Sequence, residues 1–135
     1  MHALLILCLA FDLTSIKLEP NLERRSERAI DNASSAMDLA RDASGAGESD
    51  KAKSALEELR DSVDLAYQSL VDSGKSARRS PKFFKKAELK TRELMRRLDG
   101  LAQAVDSEER TFVESVRERV SKVHDDLIKD IMQKK

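Results

Sequence analysis

One short segment concentrates the side chains that are best suited to bind a ligand. Residues 75–86 read KSARRSPKFFKK. Helix starts favour acidic residues because their free N–H groups carry partial positive charge, so cations crowded at a predicted helix start are unusual. The segment is a candidate anion-binding patch for the phosphates of lipid, of nucleic acid or of an acidic polymer. This basic patch comprises Lys75, Arg78, Arg79, Lys82, Lys85 and Lys86.

His124 is the second residue type that could carry chemistry. A di-metal carboxylate bundle needs Glu-x-x-His, but Ser121 stands three residues before His124. A haem site needs an inward-facing histidine with a methionine or second histidine, and Met37 is expected about two turns away, ~10 Å along the helix axis. We expect His124 to lie at the surface, with haem or metal binding as a remote alternative. No cofactor and no metal site is predicted.

Groups for covalent catalysis are sparse. The single cysteine, Cys8, lies in the apolar N-terminus, so a Ser–His or Cys–His pair would depend on His124 alone. Four isolated glycines cannot form a phosphate-binding loop of the usual spacing. Adjacent acids such as Glu57 and Glu58 project from a helix in different directions and are expected to be solvated. We therefore predict that the protein is not an enzyme and has no catalytic residues.

The elements that must position these residues are four amphipathic helices, predicted over 21–44, 49–73, 80–105 and 107–132. In each, apolar residues recur at alternating steps of three and four, which is the pattern of left-handed bundle packing. The second helix has Ala52, Leu56, Leu59, Val63, Ala66 and Leu70 in this register, and the fourth has Val113, Val116, Val120, Val123 and Leu127. The third has Phe84, Ala87, Thr91, Leu94, Leu98, Leu101 and Val105, and the first has mainly alanines.

Residues with known preferences mark the helix ends. Ser49, Ser80 followed by Pro81, and Asp106 with Glu109 three residues later are predicted start signals. Gly47 and Gly74 lie where the first two helices should stop. Gly100 does not fit this pattern of glycines at helix ends, because the apolar spacing places it inside or near the end of the third helix.

Short breaks favour antiparallel neighbours, so the predicted fold is all-α, an antiparallel up-down-up-down four-helix bundle with heptad-type seams in a single domain over 17–135. The alternative is a pair of long helical hairpins that complete their core by dimerising. In the bundle, the basic patch lies at the end that also holds the start of the first helix and the end of the fourth. Neutralisation by acids there is the interpretation we favour over external anion binding. These acids are Glu19, Glu23, Glu27, Asp125, Asp126 and Asp130.

The charge is strongly segregated although the formal net charge is zero. Residues 75–97 contain 10 Lys and Arg against 2 Asp and Glu, whereas residues 1–74 contain 8 against 14. The third helix and its entry are therefore basic, and the other segments are acidic on balance.

Residues 1–16 differ from the rest of the chain. Ala3–Phe11 is an unbroken apolar run that is too short to span a bilayer and has the length of the hydrophobic region of a secretory signal. No Lys or Arg precedes it, which is the pattern expected of a truncated signal, and cleavage is expected after Ala10. The alternative is an apolar arm that packs on the bundle. We expect export to the periplasm or medium, with no integral membrane span in the mature chain; otherwise the protein is cytoplasmic.

Three stretches carry a resemblance to known sequences: NLERRSERAIDNA (Asn21–Ala33), ALEELRDSVDLAYQSL (Ala55–Leu70) and SPKFFKKAELKTRELMRRLD (Ser80–Asp99). The combination resembles uncharacterised exported helical-bundle proteins of bacteria, which brings no known activity with it. The expected function is a non-enzymatic structural or binding role in the cell envelope. The expected partner is a protein or a second copy met through helix faces, or else a weakly bound anion.

Overall fold

The computed structural model describes residues 13–133. Its helices are α1 (Leu13–Lys17), α2 (Leu22–Gly45), α3 (Ser49–Asp72), α4 (Pro81–Ala104) and α5 (Ser107–Met132). The four long helices alternate in direction and form an up-down bundle, which confirms the predicted all-α fold. The ends of these four helices agree with the predicted bounds to within one residue, because the helices begin and end at or next to the predicted start and stop residues.

The predicted start and stop residues have three different roles in the structure. Asp106 accepts a hydrogen bond from the Glu109 backbone N–H at 2.9 Å, the first half of a capping box. Ser49 begins α3 as its first helical residue rather than as its cap, and its hydroxyl donates to Glu109 on α5. Gly74 has a φ of +70°, a left-handed conformation that a Cβ disfavours, and it ends the turn after α3.

The seams predicted from the sequence form the core. All five seam residues of α5 and all six of α3 are buried, as are Phe84, Leu94 and Leu98 on α4. The alanines of α2 are buried alongside Ile30 and Met37, so α2 lies close to its neighbours. The buried Thr91 hydroxyl donates to the Ala87 carbonyl at 2.8 Å, which satisfies the one polar side chain in the α4 seam.

The order of helices around the bundle differs from one expectation. The connections Ala46–Glu48 and Val105–Asp106 are short, and they force α2 beside α3 and α4 beside α5. Consecutive α3 and α4 were expected to be neighbours as well, but they make only a small contact. The connection over 73–80 is long enough to cross the end of the bundle, so α3 and α4 lie on a diagonal. As a result α2 packs beside α4, and α3 beside α5.

These lateral pairs run in the same direction. Lys86 pairs with Glu27, and Arg97 pairs with Asp38, so residue numbers rise together along α4 and α2. Arg119 of α5 likewise pairs with Asp64 of α3, at 2.9 Å. The bundle is thus two antiparallel hairpins laid side by side within one chain, and no second copy is needed to complete the core.

The short helix α1 packs on α2 and α3, with Ile16 only 2% exposed and Leu13 buried. Cleavage after Ala10 would leave this helix on the mature protein. The predicted apolar run Ala3–Phe11 lies outside the described residues, so the choice between a secretory signal and an apolar arm stays a prediction. Within residues 13–133, no helix is both long enough and apolar enough to cross a bilayer.

One acid expected to be solvated is buried. Glu58 of α3 is 9% exposed, and its carboxylate accepts a hydrogen bond from the Asn32 side-chain amide of α2 at 2.8 Å. The same amide donates to the Ser62 hydroxyl at 2.9 Å. The prediction for Glu58 was wrong because the close approach of the alanine-rich α2 covers the flank of α3 as well as its seam.

Candidate functional site

The basic patch lies on the α3–α4 connection and the first turn of α4. Ala77 is buried against the core, which fixes the middle of the connection to the end of the bundle. The backbone N–H groups of Arg79 and Ser80 donate to the Ser76 carbonyl at 3.1 and 3.0 Å, forming a turn. Arg78 and Arg79, which follow the anchored alanine within this turn, are exposed.

Two of the six cations are neutralised within the protein, as predicted. The Lys75 ammonium lies 2.8 Å from a Glu23 carboxylate oxygen, and Lys86 lies 3.2 Å from Glu27 and 3.1 Å from Asp31. These acids all belong to α2. Burial acts to lower the pKa of Lys86, but hydrogen bonds to Asp31 and Glu27 outweigh it, so that its pKa is raised.

Acids at the end of α5 were expected to contribute to the same neutralisation. Asp130 accepts a hydrogen bond from the Tyr67 hydroxyl at 2.8 Å, and Asp126 lies 4.0 Å from Lys122 on its own helix. Lys75 and Lys86 pair with α2, not with α5. The physical reason is the lateral arrangement, which places α2 directly beside α4.

Glu23 also replaces the acid that the start of α4 lacks. Ser80 is the residue before α4, and its hydroxyl donates to the Glu23 carboxylate rather than capping its own helix. Hydrogen bonds from Lys75 and then from Ser80 lower the pKa of Glu23. A carboxylate supplied by α2 therefore offsets part of the positive charge at this helix start.

The rest of the basic patch is directed to solvent. Arg78, Arg79, Lys82 and Lys85 are exposed. Within residues 13–133, no acid pairs with Arg79, Lys82 or Lys85, and the Lys82 ammonium lies over the Phe83 ring, 5.4 Å from its centroid. Phe84 is 3% exposed and belongs to the core, so it offers no stacking surface. The predicted patch is thus divided into an internally paired part and an exposed part.

His124 is not the exposed histidine that was expected. Its side chain is 16% exposed, and its Nε2 atom lies 2.9 Å from a carboxylate oxygen of Glu88 on α4. Arg92, one turn along from Glu88, donates to both oxygens of the same carboxylate. Glu88 forms this i,i+4 pair with Arg92 although it is only 8% exposed, because α5 lies over it.

This polar cluster is built to join α4 to α5 rather than to hold a ligand. A metal or haem iron at Nε2 would have to displace the Glu88 contact. In the described part of the chain, no three metal-ligating side chains converge.

A cavity of about 330 Å³ at the α2–α3 turn is lined by Ser44, Phe112 and several acids, among which Glu109 is already bound to Ser49.

Sequence reasoning missed the two buried carboxylates, Glu58 and Glu88. Both lie directly beside a seam position, next to Leu59 and Ala87 respectively. A carboxylate at such a flank is covered only if a neighbouring helix approaches closely there. The one available signal was the presence of a matching polar residue, Asn32 or His124, on the helix that turned out to be adjacent.

Comparison of the chain with protein-family models, with curated proteins and with solved structures finds no match to any of them. The resemblance to exported bacterial helical proteins therefore stays a prediction from the sequence.

Proposed function

We propose that the protein is a non-enzymatic, exported helical bundle that acts in the cell envelope by binding through its surface. One observation supports the non-enzymatic part of this proposal: within residues 13–133, every buried side-chain nitrogen and oxygen has a hydrogen-bond partner. The export part rests on the apolar run Ala3–Phe11 of the sequence. A catalytic or cofactor site usually leaves polar groups aimed into a cavity for the ligand to satisfy. Because the buried polar atoms are hydrogen-bonded within the protein, the surfaces left to bind a partner are the exposed helix faces and the connections.

Export is tested by fusing the chain, with any upstream in-frame codons, to a reporter enzyme that is active only outside the cytoplasm. We expect activity that is lost when Leu5→Arg and Leu7→Arg interrupt the apolar run. Leu18→Arg is the matched control, because Leu18 is 78% exposed and lies beyond the predicted cleavage position. A fusion that stays in the cytoplasm contradicts the export part of the proposal.

A second candidate function is anion binding through the exposed part of the basic patch. Its support is the division of the patch described above: Arg79, Lys82 and Lys85 extend into solvent without an acid of residues 13–133 beside them. Lys75 and Lys86 are excluded from this role because their charges are already matched by Glu23, Glu27 and Asp31.

Polyphosphate is a suitable probe for this second candidate. Reversal of Arg78 and Arg79 to glutamate should weaken binding, and the affinity of the unaltered protein should fall steeply with salt concentration. The control reverses Lys17 and Arg24, which lie on α1 and α2 and are also exposed. If no binding is detected at low salt, the anion-binding candidate fails and the first proposal is unaffected.

A further inference from the structure

The outward face of α4 extends the exposed cations well beyond the patch. Opposite the α4 seam, exposed positions recur at steps of three and four from Lys82 to Arg96, and none of these five is acidic. We call these five residues the outer stripe: Lys82, Lys85, Leu89, Arg92 and Arg96, all of them exposed. The stripe covers 14 helical steps, about 21 Å of a straight helix.

The three acids of α4 lie beside or beyond this row: Glu88 is buried, Glu93 is half-buried one turn from Leu89, and Asp99 is the next exposed position after Arg96. Glu88 and Asp99 lie on the flank that meets α5, where they contact His124 and Arg117. The flank that meets α2 carries Lys86 and Arg97, whose charges are paired there. These flank charges are paired with the neighbouring helices, so the unpaired positive charges of Lys82, Lys85 and Arg96 remain on the outer stripe.

Three stripe cations are open to a partner. Lys82, Lys85 and Arg96 pair with no acid in the described part of the chain. Arg92 is 60% exposed but is bound to Glu88, so it contributes less. The connection before α4 adds Arg79 at the N-terminal end of the same face.

The chemistry of the stripe selects among anionic partners. Leu89 stands at its centre and is 55% exposed, one of the four large apolar side chains of residues 13–133 that are exposed. Transfer of an apolar side chain from water into the interface of a bilayer is favourable. Contact with a phosphate backbone removes little of its apolar surface from water and gives no comparable stabilisation. A straight row of cations on a convex helix can also reach a plane of headgroups all at once.

We propose that the outer stripe of α4 binds the surface of a bilayer that contains anionic phospholipid, with the helix parallel to the membrane plane and Leu89 inserted between headgroups. This inference rests on the second candidate function, because it assigns the anion of the basic patch to lipid. The cations supply long-range attraction, and Leu89 supplies the preference for a bilayer over other polyanions.

Vesicle cosedimentation at low salt tests the stripe. We expect binding to vesicles of phosphatidylglycerol with phosphatidylcholine and none to phosphatidylcholine alone. Lys82→Gln, Lys85→Gln and Arg96→Gln together should weaken partitioning roughly 100-fold, about fivefold for each cation. The control changes the same number of charges on other helices: Lys17→Gln, Arg24→Gln and Lys129→Gln, all exposed. An equal loss in both variants would show a net-charge effect and overturn the proposal.

Leu89→Ser separates lipid from the other sources of phosphate. It should reduce vesicle binding about tenfold and leave polyphosphate and duplex DNA binding unchanged. Because Leu89 is exposed, the fold should be retained, as circular dichroism would verify. Tighter binding to duplex DNA than to vesicles, weakened by the triple stripe change, would overturn the lipid assignment.

The experiments distinguish failure of the outer-stripe proposal from failure of the anion-binding candidate. If vesicle binding needs Arg78 and Arg79 but is indifferent to Arg96 and Leu89, the stripe is wrong and the anion-binding candidate stands. If neither vesicles nor polyphosphate bind at low salt, both are wrong.

Discussion

At the scale of single residues, the carboxylate of Glu88 is held by side chains of two helices, Arg92 of α4 and His124 of α5. Burial acts to raise its pKa, but hydrogen bonds from Arg92 and His124 outweigh burial, and the pKa of Glu88 lies below its ordinary value of 4.5. A carboxyl with a lowered pKa in the folded state stabilises the protein above the unfolded-state pKa. This contribution is lost as the pH falls through the folded-state pKa.

Glu88→Gln should therefore destabilise the bundle in a pH-dependent manner. At neutral pH we expect the free energy of unfolding to fall by about 2 kcal/mol, because hydrogen bonds to a charged group are lost. The difference from the unaltered protein should narrow as the pH falls below 4.5 and through the lowered pKa of folded Glu88, because the carboxyl is then protonated in both states. Urea unfolding across this pH range measures it, with Glu114→Gln, an exposed acid on α5, as the control. A difference that is constant with pH would contradict the role of the charge.

Tyr67 offers a second test at this scale, because the chain has one tyrosine and no tryptophan. Burial, followed by the hydrogen bond to Asp130 and its charge, raises the pKa of Tyr67 above its ordinary value of 10.0. Ultraviolet absorbance should therefore show little tyrosinate in the folded protein when the pH is about one unit above the ordinary pKa, and much more after unfolding in urea. Asp130→Asn should lower the pKa of Tyr67. If Asp130→Asn leaves the pKa of Tyr67 unchanged, the two side chains are not in contact.

At the scale of elements, two glycines should respond in opposite directions to the same change. Gly100 lies inside α4 with open space around the position of a Cβ, so Gly100→Ala should stabilise the protein by about 1 kcal/mol. Gly74 has a φ of +70°, where a side chain is strained, so Gly74→Ala should destabilise it by about 1 kcal/mol. Thermal unfolding of the two variants measures both. A stabilising effect of Gly74→Ala would mean that the turn after α3 has a different conformation.

At the scale of the whole molecule, the lateral arrangement of the hairpins depends on pairs such as Arg97 with Asp38. Asp38→Arg and Arg97→Asp should each lower the free energy of unfolding by about 1 kcal/mol, because each places like charges side by side. The double exchange should recover about half of the summed loss if α2 lies beside α4. Additive losses measured by urea unfolding would indicate that the two helices are not neighbours.

The fold was largely predictable from the sequence because its signals are local. Apolar spacing placed the seams of α3, α4 and α5, and turn residues placed the helix ends. Alternation in direction followed from short connections. The basic patch was also visible, because six cations within twelve residues need no tertiary information to be recognised.

Only the tertiary structure decided which faces meet. The eight-residue connection over 73–80 could have placed α4 beside α3 or across from it, since both choices bury the same seams. By setting α4 beside α2, the fold neutralises Lys86 and Arg97, buries Glu88 under α5 and leaves Lys82, Lys85 and Arg96 in solvent. Helical spacing determines which side chains share a face, but burial of that face and pairing of its charges depend on the neighbouring helix.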